Sequence, residues 1–323
     1  MVGSLVSIVV VSYNQAEFID LALNGCVKQS EDYPNIEIIV ADDGSTDGTR
    51  EIIDRWIKNY PSLVRLVGGT VNRGIAANFN AGLGAARGTY LAWLGGDDVM
   101  LPGKIIQQVK ALEEDQTASG CYHDAEVFSW PQNETLGLFS QLYGGRAFSV
   151  DKVDARKMLD PRVQMLPSTL LLRRDRMPAA FDARFRFHND YIFDFEMIAT
   201  GGPYIRVAGV YVRYRKHLGS IGRDETVRAM VLEENLMALG LLTARFPRYA
   251  KHIRKRATYY LILEALKSFH GGDRIRARQL LRAAYVQGAP LKALGLSIVG
   301  PYAAILTEPR YRAVAMKLRS LLS

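Results

Sequence analysis

The feature that most constrains the fold is a regular alternation of strand-like and helix-like segments over the first hundred residues. Leu5–Val11 is a run of strand length that is apolar on both faces, which is typical of a central strand in a parallel sheet. The pattern predicts further strands at 36–40, 63–67 and 90–94 and helices at 15–27, 46–59 and 74–86. This order predicts an α/β fold with an open, mostly parallel sheet and flanking helices.

The texture of the sequence changes after residue 220. Before it, strand-like segments are predicted at 121–130, 165–172 and 208–214, and an acidic, aromatic segment lies around 188–202. After it come four or five helical stretches, broken by glycine and proline. We therefore expect two domains, an α/β domain over 1–222 and a basic α-helical region over 223–323.

The positive charge of the chain is concentrated in its last hundred residues. Residues 225–323 carry 17 Lys and Arg against 6 Asp and Glu, a net charge of +11, whereas the whole chain carries only +8. Such a region attracts an anionic membrane surface, although a simply solvated basic face is the alternative. No nucleic-acid partner is expected, because aromatic residues do not alternate with basic ones at base-stacking spacing.

The two cysteines, Cys26 and Cys121, are far apart and lack the spacing of a metal site. They are expected to be buried, reduced thiols, which suits a reducing compartment. No signal peptide and no run of eighteen apolar residues is found. The sequence therefore predicts a cytoplasmic location.

Paired carboxylates, Asp97 and Asp98, follow the predicted strand 90–94. Carboxylates at the end of a buried strand are costly unless a positive group is close, and a divalent cation that carries substrate phosphates is a common solution. The alternative is that an aspartate caps the next helix, which Pro102 would help to begin.

Polar residues also follow two neighbouring predicted strands. Ser12 comes after the first strand, and Asp42 and Asp43 come after the second. Ligands of open α/β sheets bind at the carboxyl ends of the strands, so these residues predict a nucleotide site. Neither a GxGxxG dinucleotide motif after the first strand nor a phosphate-binding P-loop is present.

Five segments, taken together and in order, resemble the successive signatures of family 2 glycosyltransferases. They are SIVVVSYNQAEFI, ADDGSTDGT, NRGIAANFNAGLGAARGTYLAWLGGDD, NDYIFDFEMIATGG and YRKH, and they cover roughly residues 5–220. The resemblance implies the GT-A fold and an inverting enzyme that uses a nucleotide-diphosphate sugar. The C-terminal helices match no signature.

The resemblance also implies roles for individual residues. The donor and its nucleotide would be held by Ser12, Tyr13, Asp42, Asp43, Asn72, Gly74, Asn80 and Asp97. A divalent cation, Mg²⁺ or Mn²⁺, would be held by Asp98, Asp97 and His217. Asp190 would be the catalytic base, with Asp194, one helical turn later, as its competitor.

Two positions depart from the family pattern. Gly95 stands where the commonest form, LDxDD, has its first acid, and Asn189 replaces the Glu that normally precedes the catalytic Asp. These changes leave open a second hypothesis, a catalytically degenerate module that binds carbohydrate or nucleotide.

The first hypothesis is a metal-dependent inverting glycosyltransferase. It would move a sugar, expected to come from a UDP-sugar, to a hydroxyl of a glycan or lipid-linked acceptor. Polysaccharide or lipid-linked glycan assembly is the common setting of the family. The basic C-terminal helices are expected to hold the enzyme on the inner face of the membrane as a peripheral protein.

Overall fold

The structure, a computed structural model, describes residues 3–144, 147–186, 189–217 and 225–287. These residues separate into two compact units. The first lies within Met1–Ala155 and Gln164–Arg223, and the second within Arg156–Val163 and Asp224–Ser323. The second unit thus includes a segment that the sequence boundary at residue 222 assigned to the α/β domain. The last part of the predicted helical region, 288–323, lies outside the described residues.

The first unit is built on one sheet. Its strands are β1 (Val6–Ser12), β2 (Ile36–Asp43), β3 (Val64–Gly69), β4 (Tyr90–Gly95), β5 (Val99–Met100), β6 (Gly120–Ser129), β7 (Thr135–Leu138), β8 (Lys152–Val153), β9 (Leu171–Arg173) and β10 (Tyr204–Lys216). The order across the sheet is β3-β2-β1-β4-β9-β6-β10-β5, with β7 on β6 and β8 on β10. The long pairings, among β3, β2, β1 and β4 and between β6 and β10, are parallel. The predicted α/β fold is confirmed.

Helices connect the strands and cover the sheet. They are α1 (Ile19–Asp32), α2 (Thr49–Asn59), α3 (Ile75–Ala85), α4 (Lys104–Glu114) and α6 (Asn189–Gly201). The short α5 (Ala155–Met158) begins at the last residue of a first-unit segment, and its other residues belong to the second unit. The order of strands and helices predicted for the first hundred residues is observed, with boundaries shifted by a few residues. The first helix begins later than predicted, because residues 15–18 form a separate turn closed by a hydrogen bond from the Phe18 N–H to the Gln15 carbonyl.

The strand predicted at 165–172 is largely wrong. A 3₁₀ turn, Pro167–Thr169, occupies the middle of this segment, and only Leu171–Arg173 pairs in the sheet. Pro167 fixes its own backbone angle and lacks an N–H group for a strand ladder, which favours the turn. The turn matters for the site, because it carries Ser168.

The core of the first unit depends on a close contact between α3 and the sheet. Val6, Ile8, Val9 and Val10 of β1 are fully buried. A Cβ atom built on Gly82 of α3 would lie 2.4 Å from Cγ1 of Val9. This glycine therefore lets the helix backbone approach the sheet more closely than a residue with a side chain would allow.

The second unit contains α7 (Glu225–Arg245), α8 (Ala250–His270) and α9 (Arg274–Val286). Helices α8 and α9 share an apolar cluster of Leu261, Ile262, Ala265, Leu266, Phe269, Ala277, Leu281 and Ala284. The Arg256 guanidinium donates to the carbonyls of Met158 and Asp160, at 2.9 and 3.1 Å, and so fastens segment 156–163 to α8. Within the described residues, no helix is long and apolar enough to cross a bilayer.

We predict that Gly82→Ala lowers the free energy of unfolding by about 1–3 kcal/mol, because the new methyl group overpacks against Val9. The matched control is Gly84→Ala on the same helix, where a Cβ atom meets nothing within 4 Å. That change should stabilise the protein by roughly 0.5–1 kcal/mol, the usual helix preference for alanine. Urea unfolding measures both, and equal effects would contradict the proposed close contact.

Candidate functional site

The two acids that follow β4 are positioned by distant parts of the chain. The Asp98 carboxylate is buried, with its residue only 3% exposed. Its Oδ2 accepts a hydrogen bond from Ser168 Oγ at 2.6 Å, and its Oδ1 accepts one from the Arg215 N–H at 3.1 Å. Burial, and secondly the neighbouring Asp97 carboxylate, raise the pKa of Asp98. These bonds keep the acid in place despite that cost.

The helix-cap interpretation of the acids is wrong. Helix α4 begins at Lys104, and its N-cap residue is Gly103, which makes no side-chain hydrogen bond. Asp98 instead lies before β5 and bonds to residues 70 and 117 positions further along the chain. The acids therefore serve tertiary structure or ligand binding and not the start of the helix.

His217 is the third member of the group. It follows β10, and its Nε2 lies 3.1 Å from Oδ2 of Asp97. Both side chains remain partly accessible, at 17% for His217 and 25% for Asp97. The fold therefore brings His217 to Asp97, the neighbour of Asp98 in the chain.

The structure explains why a glycine occupies position 95. A Cβ atom on Gly95 would lie 2.7 Å from Oδ1 of Asp97, so a side chain there would displace the acid. The Gly95 N–H donates to Ser168 Oγ at 3.2 Å, and that hydroxyl donates in turn to Asp98. At the position where the commonest family pattern has an acid, this protein has a glycine whose N–H group is linked to Asp98 through the Ser168 hydroxyl.

The two carboxylates and the imidazole offer only part of the shell of a hard divalent cation, and substrate phosphate and water would have to complete it. Mg²⁺ and related ions often take only one or two protein carboxylates and fill the shell with phosphate and water. Among the described residues, no group of three or more His, Cys, Asp or Glu side chains is arranged to hold a metal ion. Asp98 keeps free lone pairs, because its two oxygens offer about four acceptor positions and two are used.

The residues assigned to the nucleotide form a second group, at the ends of β1 and β2. Asp43 accepts the N–H groups of Arg73 and Gly74 at 2.9 and 2.8 Å, which holds the loop before α3. Asn72 caps the same loop, since its Oδ1 accepts the Gly74 N–H at 3.0 Å. These acceptors fix the backbone beside the strand ends.

Two further residues of this group differ in exposure. Asp42 is fully buried and pairs with Arg50 Nε at 3.1 Å and with the Ser45 backbone N–H at 3.0 Å. Tyr13 is 45% exposed and is therefore available to a ligand.

Asn78 is a site residue that sequence analysis missed. Its Nδ2 donates to the carbonyls of Ser12 and Ala41, at 3.2 and 2.8 Å, and so joins the ends of β1 and β2. Within the described part of the chain, its Oδ1 and the Ser12 hydroxyl are buried without a hydrogen-bond partner. The signal was available, because Asn78 lies four residues before Gly82 and hence on the face of α3 that meets the sheet.

Asn80, which was selected instead, has a different contact. Its Oδ1 accepts the Phe181 N–H at 2.7 Å, and its Nδ2 donates to the Phe181 carbonyl at 3.0 Å. The Phe181 ring stacks on Phe193 of α6 at 4.1 Å and meets Trp93 of β4 at 5.4 Å. The asparagine thus fastens α3 to the segment that leads into α6.

The two acids of α6 have different environments. Asp190, in the first turn, is partly exposed, and burial raises its pKa to about 6. Asp194 is buried and accepts a hydrogen bond from the Tyr204 hydroxyl at 2.8 Å, and burial raises its pKa to about 8. Asp190 is therefore the acid that a substrate can approach and that is ionised at neutral pH.

Comparison with known proteins finds similarity in both sequence and fold. Residues 7–161 match the sequence model described as Glycosyl transferase family 2. An uncharacterized protein of Mycobacterium tuberculosis strain ATCC 25618 / H37Rv is 40% identical over 154 residues, which are 47% of this chain and 44% of that protein. The chain thus spans less than half the length of this relative.

Two solved structures are similar over almost the whole chain. S. aureus TarS 1–349, in complex with UDP-GlcNAc, has a TM-score of 0.59 at 16% identity, covering 98% of this chain and 92% of that one. The mannosyltransferase PcManGT from Pyrobaculum calidifontis, in complex with GDP-Man and Mn²⁺, has a TM-score of 0.58 at 19% identity, covering 99% and 85%. At these identities the likeness is one of fold, and the predicted GT-A fold is confirmed.

We predict that Asp194→Asn raises the free energy of unfolding at pH 8 and above. A carboxyl whose pKa is about 8 in the folded state and about 3.9 when unfolded stabilises the fold below pH 4 and loses this contribution as the pH rises to 8. Asparagine keeps an acceptor for Tyr204 without the charge. Unfolding curves at several pH values measure the difference, and the exposed Asp54→Asn serves as the control.

A difference between Asp194→Asn and the wild type that does not grow from pH 4 to pH 8 would contradict this prediction.

Proposed function

We propose that this chain, which belongs to glycosyl transferase family 2 through residues 7–161, is an inverting glycosyltransferase that moves a sugar from a nucleotide-diphosphate donor to a hydroxyl acceptor. The observation that carries the proposal is the Asp97–His217 pair beside the buried Asp98, at the end of the strand next to β1. The parallel order of the strands supports the proposal, because ligands of such sheets bind at the carboxyl ends of the strands, where these residues lie.

The donor that we propose is a UDP-sugar. Ser12 Oγ and Asn78 Oδ1 support a nucleotide at the ends of β1 and β2, because buried polar atoms normally have a hydrogen-bond partner and these two lack one among the described residues. Ribose hydroxyls or a base N–H group would supply it. TarS has been solved with UDP-GlcNAc, and this supports uridine as the first nucleotide to test.

Asp97, Asp98 and His217 are the proposed ligands of a divalent cation, Mg²⁺ or Mn²⁺. When bound, such an ion stabilises the negative charge that develops on the leaving diphosphate. Ser168 and the Arg215 backbone orient Asp98, while His217 and Asp97 contact one another from two separate segments. The complex of PcManGT contains Mn²⁺, so this ion is the first to test.

Asp190 is the proposed base, which removes the proton from the acceptor hydroxyl. Its pKa of about 6 leaves it ionised at pH 7 and still basic enough to accept a proton as the hydroxyl attacks. Attack from the face opposite the diphosphate inverts the anomeric centre, and no covalent enzyme intermediate is required. The stacked Phe181 and Phe193 rings support the position of α6 against the rest of the unit.

The degenerate binding module is the second candidate, and Gly95 and Asn189 favour it. The surroundings of both residues weaken that case. Gly95 takes part in the hydrogen-bonded chain to Asp98, and Asn189 is buried, with Nδ2 donating to the Phe185 carbonyl at 3.4 Å.

A thermal-shift screen of nucleotide sugars with and without Mn²⁺ finds the donor, since binding raises the midpoint by mass action. Release of nucleotide during transfer, or its absence, then separates enzyme from binding module.

The proposed acceptor is a glycan or lipid-linked saccharide at an anionic membrane surface, contacted by the second unit. The support is the outer face of α9, where Ile275 and Val286 are 74% and 83% exposed among three exposed arginines, Arg274, Arg278 and Arg282. No acidic residue lies within α9. Exposed apolar groups within a cationic face are typical of helices that bind anionic lipid interfaces.

We predict that Asp98→Asn lowers the Mn²⁺-dependent affinity for the donor by at least about tenfold, because it removes a ligand charge at nearly constant shape. Calorimetric titration of donor with and without Mn²⁺ measures the effect, and circular dichroism checks the fold. Asp54→Asn, on the exposed face of α2, is the control and should bind like the wild type. Unchanged Mn²⁺-dependent affinity in Asp98→Asn would remove this residue from the ion site.

We predict that Asp190→Asn lowers kcat by about 10²–10⁴-fold and leaves donor affinity unchanged, since only proton transfer is lost. The wild-type rate should rise with pH and level off above an apparent pKa of about 6, because the ionised carboxylate is the active form. Steady-state transfer assays over a pH series measure both.

Asp194→Asn is the matched control for the base, four residues later on the same helix. Its carboxyl bonds to Tyr204 inside the unit, so the change should leave kcat within a few-fold of the wild type. If Asp194→Asn proves the more damaging of the two, the assignment of the base is shifted by one helical turn.

We predict that the full chain co-sediments with liposomes that contain anionic lipid, and that salt weakens this binding. Replacing Arg274, Arg278 and Arg282 by Gln should lower the partition coefficient on the order of 100-fold, at about 1 kcal/mol for each basic residue. The control removes the same charge from exposed positions of the first unit, Arg55, Lys58 and Lys110. Equal loss in both triple variants, or binding that ignores lipid charge, would contradict a specific α9 surface.

A further inference from the structure

Arg215 is the most buried arginine among the described residues. No carboxylate of the described residues is hydrogen-bonded to its guanidinium. It is 1% exposed and lies near the end of β10, two residues before His217. Its Nε donates to the Asp97 carbonyl at 2.7 Å, and its backbone N–H donates to Asp98 at 3.1 Å. One residue thus contacts both members of the acid pair.

Three aromatic rings surround the guanidinium. The centroids of Phe18, Phe128 and Trp130 lie 4.7, 4.6 and 4.8 Å from its Cζ atom. A cation over an aromatic face gains about 0.5–1 kcal/mol when exposed and about 2 or more when desolvated. We call these three rings the aromatic cage.

The aromatic cage leaves part of the guanidinium without hydrogen bonds. Nη1 and Nη2 are buried, and neither has a partner among the described residues. Buried donors without acceptors destabilise a fold, and a buried charge does so more strongly. A well-packed apolar residue would usually serve stability at least as well, so stability alone does not account for an arginine here.

The aromatic cage also contacts one residue of the proposed ion site directly. The Phe18 ring packs against the His217 imidazole, with centroids 4.9 Å apart. Trp130 is fixed from the other side, because its Nε1 donates to Glu17 Oε1 at 2.6 Å. The ring that holds Arg215 therefore also orients His217, while Arg215 itself orients Asp97 and Asp98.

We propose that Arg215 is a positioning residue that, held by the aromatic cage, sets the geometry of Asp97, Asp98 and His217 for a divalent cation. The inference rests on the proposed function, since it takes these three residues as ion ligands. Groups that hydrogen-bond to metal ligands typically change metal affinity by about 10–100-fold when replaced. The guanidinium also provides a fixed positive charge beside two adjacent acids, which lowers the repulsion between them before an ion binds.

The test compares Arg215→Lys with Arg213→Lys. Lysine keeps the charge but lacks a planar group that can donate through Nε and lie flat against the rings. Arg213 is a close match, because it lies two residues earlier on β10 and over the same Phe128 ring, at 4.2 Å. Its Nε donates instead to Glu126 at 3.2 Å, away from the acid pair.

The readout is Mn²⁺ affinity with and without UDP, from the electron paramagnetic resonance signal of free Mn²⁺ against a protein-free UDP blank, with the fold checked by circular dichroism. Arg215→Lys should bind Mn²⁺ about 10–100-fold more weakly than the wild type, and Arg213→Lys should bind within twofold. Phe18→Leu, which removes the ring shared with His217, should weaken binding in the same direction. If Arg215→Lys fails to fold, the Mn²⁺ affinity of Phe18→Leu decides whether the aromatic cage positions the ion ligands.

The outcomes separate this inference from the proposed function. Wild-type Mn²⁺ binding that is retained within twofold in folded Arg215→Lys, or in Phe18→Leu where that variant decides, overturns the positioning role alone. Equal weakening in Arg213→Lys also overturns it, because the effect would then come from any change on β10. A wild-type protein that binds no Mn²⁺ either with or without UDP overturns both the ion site and the role of Arg215.

Discussion

The acid turn, residues 96–98 between β4 and β5, depends on the buried Asp98 carboxylate, which links this turn to two other segments of the chain. Asp98 accepts hydrogen bonds from Ser168, in the 3₁₀ turn before β9, and from the backbone of β10. Without these donors, a carboxylate at 3% exposure beside a second acid would be strongly unfavourable. The bond from Arg215 also holds the end of β10 beside the acids, and His217, two residues later, contacts Asp97. The bonds that compensate the buried charge of Asp98 are therefore also the ones that assemble the candidate site.

Sequence alone predicted the parts that depend on local pattern. The apolar runs of β1, β2 and β4 and the polar residues at their ends follow from periodicity and from the rule that parallel sheets bind ligands at their carboxyl edge. The roles assigned to Asp190, Asp98 and the nucleotide residues came from a family resemblance and stay predictions.

Sequence could not predict the residues whose partners are distant. Ser168 lay in a segment interpreted as a strand, and only the folded chain brings it 2.6 Å from Asp98. Asn78 is a different case, because its spacing of four residues from Gly82 already indicated the face of α3 that meets the sheet. Only its bonds to the ends of β1 and β2 required the folded structure. Arg215 stood in the YRKH segment without a role of its own. Its burial depends on Phe18, just before α1, meeting Phe128 and Trp130 at the end of β6.

The strand order has a consequence for the way the chain is completed. β1, β2, β3 and β4 pair with one another within the first 95 residues, so the half of the sheet assigned to the nucleotide is local in sequence. The acid turn, in contrast, lacks its hydrogen-bond donors until a chain growing from its amino end has reached Arg215. A partly synthesised chain can therefore hold the elements of a nucleotide pocket but no finished acid site. Under the proposed function, transfer would therefore require completion of the α/β unit.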